Sequence, residues 1–187
     1  MHLNGAVDKE ACPLGLAPTT STTAALALGD ALAVALLDAR GFGTDDFARS
    51  HPGGALGRRL LTHVRDVMRG GDRIPAVGEE ASLAEAVLEI SRKGLGMTAI
   101  VDAGRRVLGI YTDGDLRRTL EKNLDIKATR VSAVMSKNPR TIGPDALAAE
   151  AVQMMDQHNI SQMLVVDAEH RLIGAFNIGD LLHAKVI

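Results

Sequence analysis

The feature that most constrains this chain is an internal repeat. Displacing the sequence by 65 residues lays Ala86-Val87 on Ala151-Val152, Val101-Asp102 on Val166-Asp167 and Gly109 on Gly174. The same displacement lays Gly114-Asp115-Leu116 on Gly179-Asp180-Leu181. Further upstream, Val67-Met68 matches Val134-Met135 at a displacement of 67, so two residues were gained near Gly70-Gly71. The matching positions are the structural ones, and they specify one supersecondary unit used twice. A single unit of about 50 residues cannot bury both faces of a three-stranded sheet. The two copies are therefore expected to pack together about a pseudo-twofold axis.

Each copy reads as β-α-β-β-α. In copy one, Ser82 and Glu85 form a capping box, and Leu83, Ala86, Val87 and Ile90 then recur at helical spacing. Gly94 and Gly96 end that helix. Met97 to Val101 is a short apolar strand, Asp102 to Arg105 a turn, and Arg106 to Tyr111 a second strand. Thr112 then caps a second helix with Asp115 at its third position. Copy two is expected to repeat this with Asp145 as cap and a helix to about His158. Strands near Met163–Val166 and Arg171–Phe176 and a helix from Asn177 complete it.

Composition narrows the function classes. The 187 residues are 46% hydrophobic and 24% charged with a net charge of -2, ordinary globular chemistry for one or two domains. A nucleic-acid surface would show a basic excess and aromatic platforms, whereas aromatics are only 2% here. The single cysteine, Cys12, cannot form an internal disulfide and reads as a small apolar filler. The longest apolar region, Ala24 to Leu37, is broken by Gly29 and Asp30, and no basic flank leads into an apolar run at the N-terminus. The expectation is a soluble cytoplasmic protein without nucleic-acid or membrane partners. His2, His63, His158, His170 and His183 lack metal-ligand spacing and read as surface residues, and no cofactor or metal is expected.

The chemistry of the repeat sits at two strand-to-helix turns, Thr112-Asp113-Gly114-Asp115 and Asn177-Ile178-Gly179-Asp180. A helix N-terminus offers unpaired N–H groups to phosphate, and a carboxylate one turn in can accept both hydroxyls of a ribose. The same residues also make a plain capping arrangement, so both readings stand. The segments "VLGIYTDGDL" and "LIGAFNIGDL" resemble the closing motifs of CBS domains, and the pair resembles a Bateman module over about Thr62 to Ile187. That resemblance implies an adenosine-type ligand whose ribose is held by Thr112 and Asp115. Copy two keeps Asp180 but has Asn177 where Thr is usual. Arg117 and Arg118 follow Asp115, whereas Leu182 and His183 follow Asp180. A phosphorylated ligand is therefore expected to favour the Asp115 side.

The first sixty residues lie outside the repeat. The hydroxyl cluster Thr19 to Thr23 leads into an apolar helix from about Thr22 to Ala39, stopped by Gly41. Ala25, Leu28, Leu32, Ala35 and Leu36 fill more than one face of that helix, so it expects burial. Nothing in residues 1–60 supplies a sheet for it, and the segment looks like the tail of a larger domain. "CPLGLAPTTSTTAALALGDALAVALL" and "FARSHPGGALGRRLL" resemble the end of the sugar isomerase (SIS) domain in D-arabinose 5-phosphate isomerases, which place an SIS domain before a CBS pair.

The combined resemblance implies an α/β (α+β) fold. A C-terminal SIS remnant over 1–61 is followed by CBS repeats over 62–125 and 126–187. It implies interconversion of D-ribulose 5-phosphate and D-arabinose 5-phosphate, the entry to the lipopolysaccharide sugar Kdo. His51 of Ser-His-Pro-Gly-Gly is then the candidate for proton transfer or ring opening, beside the alternative of a loop histidine satisfied by backbone. Ser21 and Thr22 either cradle phosphate or serve as an N-cap cluster. The sheet, the phosphate loop and most of that site are absent, so this chain alone is expected to be inactive. The implied partners are a sugar phosphate for the full-length enzyme, a nucleotide or nucleotide-sugar at the CBS pair, and further copies in a homo-oligomer. The alternative is a stand-alone nucleotide-binding CBS regulator.

Overall fold

A computed structural model of the chain describes residues 2–50, Gly54, Gly57, 60–122 and 124–187. The chain divides into two compact units, one up to Phe47 and one from Ala48 to Ile187. In the first unit, helix α1 spans Thr20–Ala39, starting two residues before the expected Thr22. Its start is held by Glu10, whose Oε2 accepts from the backbone N–H groups of Thr19 (2.7 Å) and Ser21 (3.3 Å). These are donors that a helix start leaves without partners. Hydrogen bonds from Ser21 and Thr19 hold the Glu10 carboxyl down to about 2. The helix ends at Arg40, followed by Gly41 at φ +61, where a left-handed turn favours glycine.

No residue of α1 is buried, so its apolar faces stay open within the described residues of this chain. By length and composition α1 is also long and apolar enough to cross a membrane, with a mean hydropathy of 1.5. Counting uninterrupted apolar residues passed over it, because Gly29 and Asp30 break the run without lowering its average enough. Thr44–Ser50 forms the short helix α2.

The second unit contains both repeats. After α3 (Val64–Val67), copy one runs β1 (Ala76–Gly78), α4 (Leu83–Lys93), β2 (Met97–Val101), β3 (Val107–Thr112) and α5 (Asp113–Leu120). Strand β4 (Ser136–Lys137) follows. Copy two runs β5 (Thr141–Ile142), α6 (Ala148–His158), β6 (Gln162–Val166), β7 (Leu172–Asn177) and α7 (Ile178–His183). Each copy has a parallel pair bridged by its helix and an antiparallel pair joined by a tight turn. The sheet orders are β1-β2-β3-β4 and β5-β6-β7.

Helix ends follow the expected chemistry with one correction. Ser82 and Glu85 form a reciprocal capping box, and α4 ends on Gly94 at φ 64. In α6 the left-handed cap is Asn159 at φ 51, which tolerates that region better than most residues. The expected Asp145 cap does not form. The N-cap is Leu147, without a side-chain bond, and Asp145 pairs instead with Arg65 at 2.6 Å. Backbone replaces it: the Ala148 N–H donates to the Thr62 carbonyl at 2.8 Å, and His63 bridges Leu147. The start of α4 uses the matching positions, with the Leu83 N–H donating to the Thr129 carbonyl at 2.8 Å and Ser82 bridging Arg130.

These bonds reveal an exchange. Val64, Val67 and Met68, which precede copy one, pack in the core of copy two with Met155, Met163 and Phe176. Val131, Val134 and Met135, which precede copy two, pack in the core of copy one with Leu83, Ile100 and Tyr111. A third cluster, shared by both copies, joins Met97, Ala99 and Val107 to Leu164, Leu172 and Ala175. The pseudo-twofold axis passes through the turns. The Val107 N–H donates to the His170 carbonyl (3.2 Å) and the Leu172 N–H to the Arg105 carbonyl (2.9 Å). Arg105 and His170 both take φ 62.

Two glycines make room for the exchanged segments. A Cβ on Gly109 would run into the Met135 thioether, and one on Gly174 would run into that of Met68. Overpacking of this kind costs about 1–3 kcal/mol. Gly174→Ala is expected to lower stability in urea titration by about that amount. Met68→Ala in the same chain should recover part of the loss, so the double-mutant cycle should show coupling. Additive losses would place the thioether elsewhere. On β2, the buried hydroxyl of Thr98 has no hydrogen-bond partner among the described residues. Thr98→Val is therefore expected to raise stability by about 1 kcal/mol.

Candidate functional site

The turn after β3 is built by β-strand pairing on one side and helix capping on the other. Thr112 ends β3 in extended conformation, and its Oγ1 accepts from the Asp115 N–H at 3.2 Å. In return Asp115 Oδ2 accepts from the Thr112 N–H (2.9 Å) and the Thr112 hydroxyl (2.7 Å). Asp115 Oδ1 accepts from Arg118 Nη2 (2.6 Å) and the Ser136 hydroxyl (3.2 Å). Burial alone would raise the Asp115 pKa. The hydrogen bonds from Thr112, Arg118 and Ser136 outweigh it and hold the group below its ordinary range. The side chain is a carboxylate near neutral pH although the residue is only 7% exposed.

A further chain of bonds fixes this turn from beneath. The buried Tyr111 hydroxyl donates to Thr119 Oγ1 at 3.0 Å, and the Thr119 hydroxyl donates to the Asp115 carbonyl at 2.8 Å. Burial raises the Tyr111 pKa, so the phenol stays protonated and keeps donating. The first turn of α5 is thereby tied to β3 by side chains as well as by its own backbone.

Thr112, Gly114, Asp115 and Arg118 open onto a cleft of about 510 Å³. Its other walls are Ser136 to Arg140, from the β4 segment, and Asn159 to Gln162, which end α6 and begin β6. The cleft thus lies between the copies, with cations at Arg118, Lys137 and Arg140. Sequence reading found Thr112, Asp115 and Arg118 but passed over the far walls. Arg117, named with them, is exposed and does not line the cleft.

The second turn is built from different residues at the matching positions. Asn177 Oδ1 accepts from the Asp180 N–H (3.1 Å) and Asp180 Oδ2 accepts from the Asn177 N–H (3.0 Å), so capping is retained. Phe176 and Ala184 stand where Tyr111 and Thr119 stand, and the hydroxyl chain is absent. His183 stands at the Arg118 position, and its Nδ1 pairs with the Gly179 carbonyl at 2.7 Å instead of with Asp180. Asp180 is engaged by Arg69, through Nε to Oδ1 (3.1 Å) and Oδ2 (3.2 Å) and through Nη2 to Oδ1 (3.0 Å). Nearby lies a cleft of about 310 Å³ lined by Arg69, Asp72, Arg73, Arg92 and Lys93. Counting cations after each aspartate in sequence missed Arg69, which reaches Asp180 from the other copy. The displacement of 67 was the available signal, since upstream of Gly70-Gly71 it aligns Arg69 with Ser136.

In the N-terminal unit, Ser21 and Thr22 sit at the start of α1. The Ser21 N–H serves Glu10, and the Thr22 hydroxyl donates to the Thr19 carbonyl at 2.8 Å. A carboxylate therefore already takes the anion position of this helix start. His51 lies outside the described residues.

Comparison with known proteins agrees with this architecture. The CBS domain family model matches residues 64–122 and 131–187. The arabinose 5-phosphate isomerase KdsD of Pseudomonas aeruginosa is 51% identical over all 187 residues, and that of Escherichia coli K12 is 52% identical. The chain spans 57% of the length of each of these curated relatives. Among solved structures, a CBS domain protein from Pyrobaculum aerophilum complexed with AMP aligns with a TM-score of 0.58 at 20% identity. That alignment covers 64% of this chain and 89% of that one, and shows the shared fold. With one family match on each copy and the exchanged β-α-β-β-α pair between them, the chain belongs to the CBS domain family.

Proposed function

We propose that this chain is the C-terminal part of an arabinose 5-phosphate isomerase, in which the CBS pair senses an adenine nucleotide or nucleotide-sugar. The observation that carries the sensing half is the Asp115 turn, an ionised and buried carboxylate facing a cleft that also holds cations. The ribose hydroxyls would donate to Asp115, displacing Arg118 from Oδ1. Arg118 is suited to yield, because its side chain is 66% exposed and a single N–H joins it to the carboxylate. Once released it would turn to the phosphate with Lys137 and Arg140, while Thr112 keeps Oδ2 in place. Charge-assisted hydrogen bonds to such a carboxylate are each worth about 1.5–3 kcal/mol.

The catalytic half rests on the similarity to the isomerases along the whole chain. Residues 1–61 would then be the end of the sugar isomerase domain, with His51 the proton-transfer or substrate-contacting group and Ser21 and Thr22 near the sugar phosphate. Nucleotide binding would act on that site by favouring one of two packings of the CBS pair, a coupling between distinct sites. The same reading places the protein in the cytoplasm as a homo-oligomer.

Isothermal titration with AMP tests the sensing half. The wild-type chain is expected to bind, and Asp115→Asn to weaken binding by about tenfold or more, with melting curves confirming a folded variant. Unchanged affinity in Asp115→Asn would leave that turn as capping alone. A chimera tests the catalytic half. Joining the remaining N-terminal part of the Pseudomonas aeruginosa relative to this chain is expected to isomerise D-ribulose 5-phosphate, whereas this chain alone gives no turnover. An inactive chimera that folds, or turnover by the chain alone, would overturn it.

A further inference from the structure

The two clefts differ in what meets the aspartate. At Asp115 the exchanged segment supplies Ser136, a single hydroxyl 3.2 Å away. At Asp180 the matching position supplies Arg69, whose guanidinium covers both carboxylate oxygens. This guanidinium is not a loose surface partner. Its Nη1 donates to the Lys93 carbonyl at 3.1 Å, at the end of α4. Its backbone is paired in both directions with Ala175, at 2.8 and 3.1 Å. The Arg69 and Asp180 side chains are 25% and 19% exposed, against 66% for Arg118.

We infer that Arg69 is an internal occupant of the second cleft, withholding Asp180 from ribose so that the chain takes one nucleotide rather than two. This rests on the reading of Asp115 as a ribose acceptor. Beside the Arg69–Asp180 pair lies a cationic cleft that Arg69 also lines, of a charge suited to a nucleoside phosphate. Its volume is about 310 Å³, and Arg73, Arg92 and Lys93 line it with Asp72. Glu89 engages Arg92 and Lys93, and the Lys93 ammonium also donates to the Asp72 carbonyl. Asp72 and Glu89 therefore offset part of the positive charge, and Asp180 is the group a ribose would need. A ligand entering there must compete with a guanidinium held by both its side chain and its backbone, whereas at Asp115 it displaces one exposed arm.

The test is the stoichiometry of AMP binding by titration calorimetry. The wild-type chain is expected to bind one AMP, lost in Asp115→Asn. Arg69→Ser, which installs the residue found at the matching position of the first cleft, is expected to bind a second AMP within about tenfold of the first. Adding Asp180→Asn should remove only the second. Arg69→Met keeps the aliphatic stem and serves in the same role if the serine variant melts early. Two AMP per wild-type chain, or one per chain in a folded Arg69 variant that keeps the first site, would overturn the inference. If the wild type binds none, the Asp115 reading fails separately. A site gained in Arg69→Ser and lost with Asp180→Asn would then still support the occupancy of Asp180 by Arg69, and no gain would overturn it.

Discussion

The structure depends on the exchange of leading segments between the two copies. Val64 and Met68 complete the core of copy two, and Val131 and Met135 complete that of copy one. Without those residues each sheet would lack cover on the face carrying its glycine, since Gly109 and Gly174 bring no side chain of their own. Burial of apolar surface drives this arrangement, and interior packing at near-crystalline density explains why the glycines matter. The exchange also positions the site. The segment that delivers Met135 continues into Ser136 and Lys137 of β4, so the core contact and the cleft wall are consecutive residues.

The same logic produces the inequality between the clefts. The two turns share one design and differ in the residues at their matched positions. Phe176 and Ala184 stand in the other copy where Tyr111 and Thr119 stand, with plain apolar packing in place of a buried hydroxyl chain. Ser136 and Arg69 differ more, because one contributes a neutral donor and the other a full charge. Both aspartates keep their capping bonds, so capping alone does not distinguish the turns.

Much of this fold was legible in the sequence because local chemistry decides it. The Ser82–Glu85 box, the Gly94 stop and the Thr112 and Asn177 caps all act within a few residues of themselves. The Asp145 cap was misread because a non-local bond, from Ala148 to the Thr62 carbonyl, supplies what a side chain would otherwise have supplied. Arg69 was missed for the same reason, since it acts on an aspartate 111 residues away. The change of displacement from 65 to 67 was visible, but it does not say that the leading segments cross to the other copy. Helix α1 was read as apolar on several faces and expected to be buried, yet among the described residues none of it is buried.

The burial of Val64 beside Ile142 and Val186 has a consequence for the order in which the chain acquires structure during synthesis. Copy one can close as soon as Val131 to Met135 have left the ribosome, since its other core residues all precede them. Val64 and Met68 emerge earlier still, yet their partners are made later, through to Val186. During that interval they stay as unpaired apolar surface on a half-built protein, the kind of species that chaperones recognise. The second copy to be translated is therefore the one whose completion covers the earlier-made Val64 and Met68.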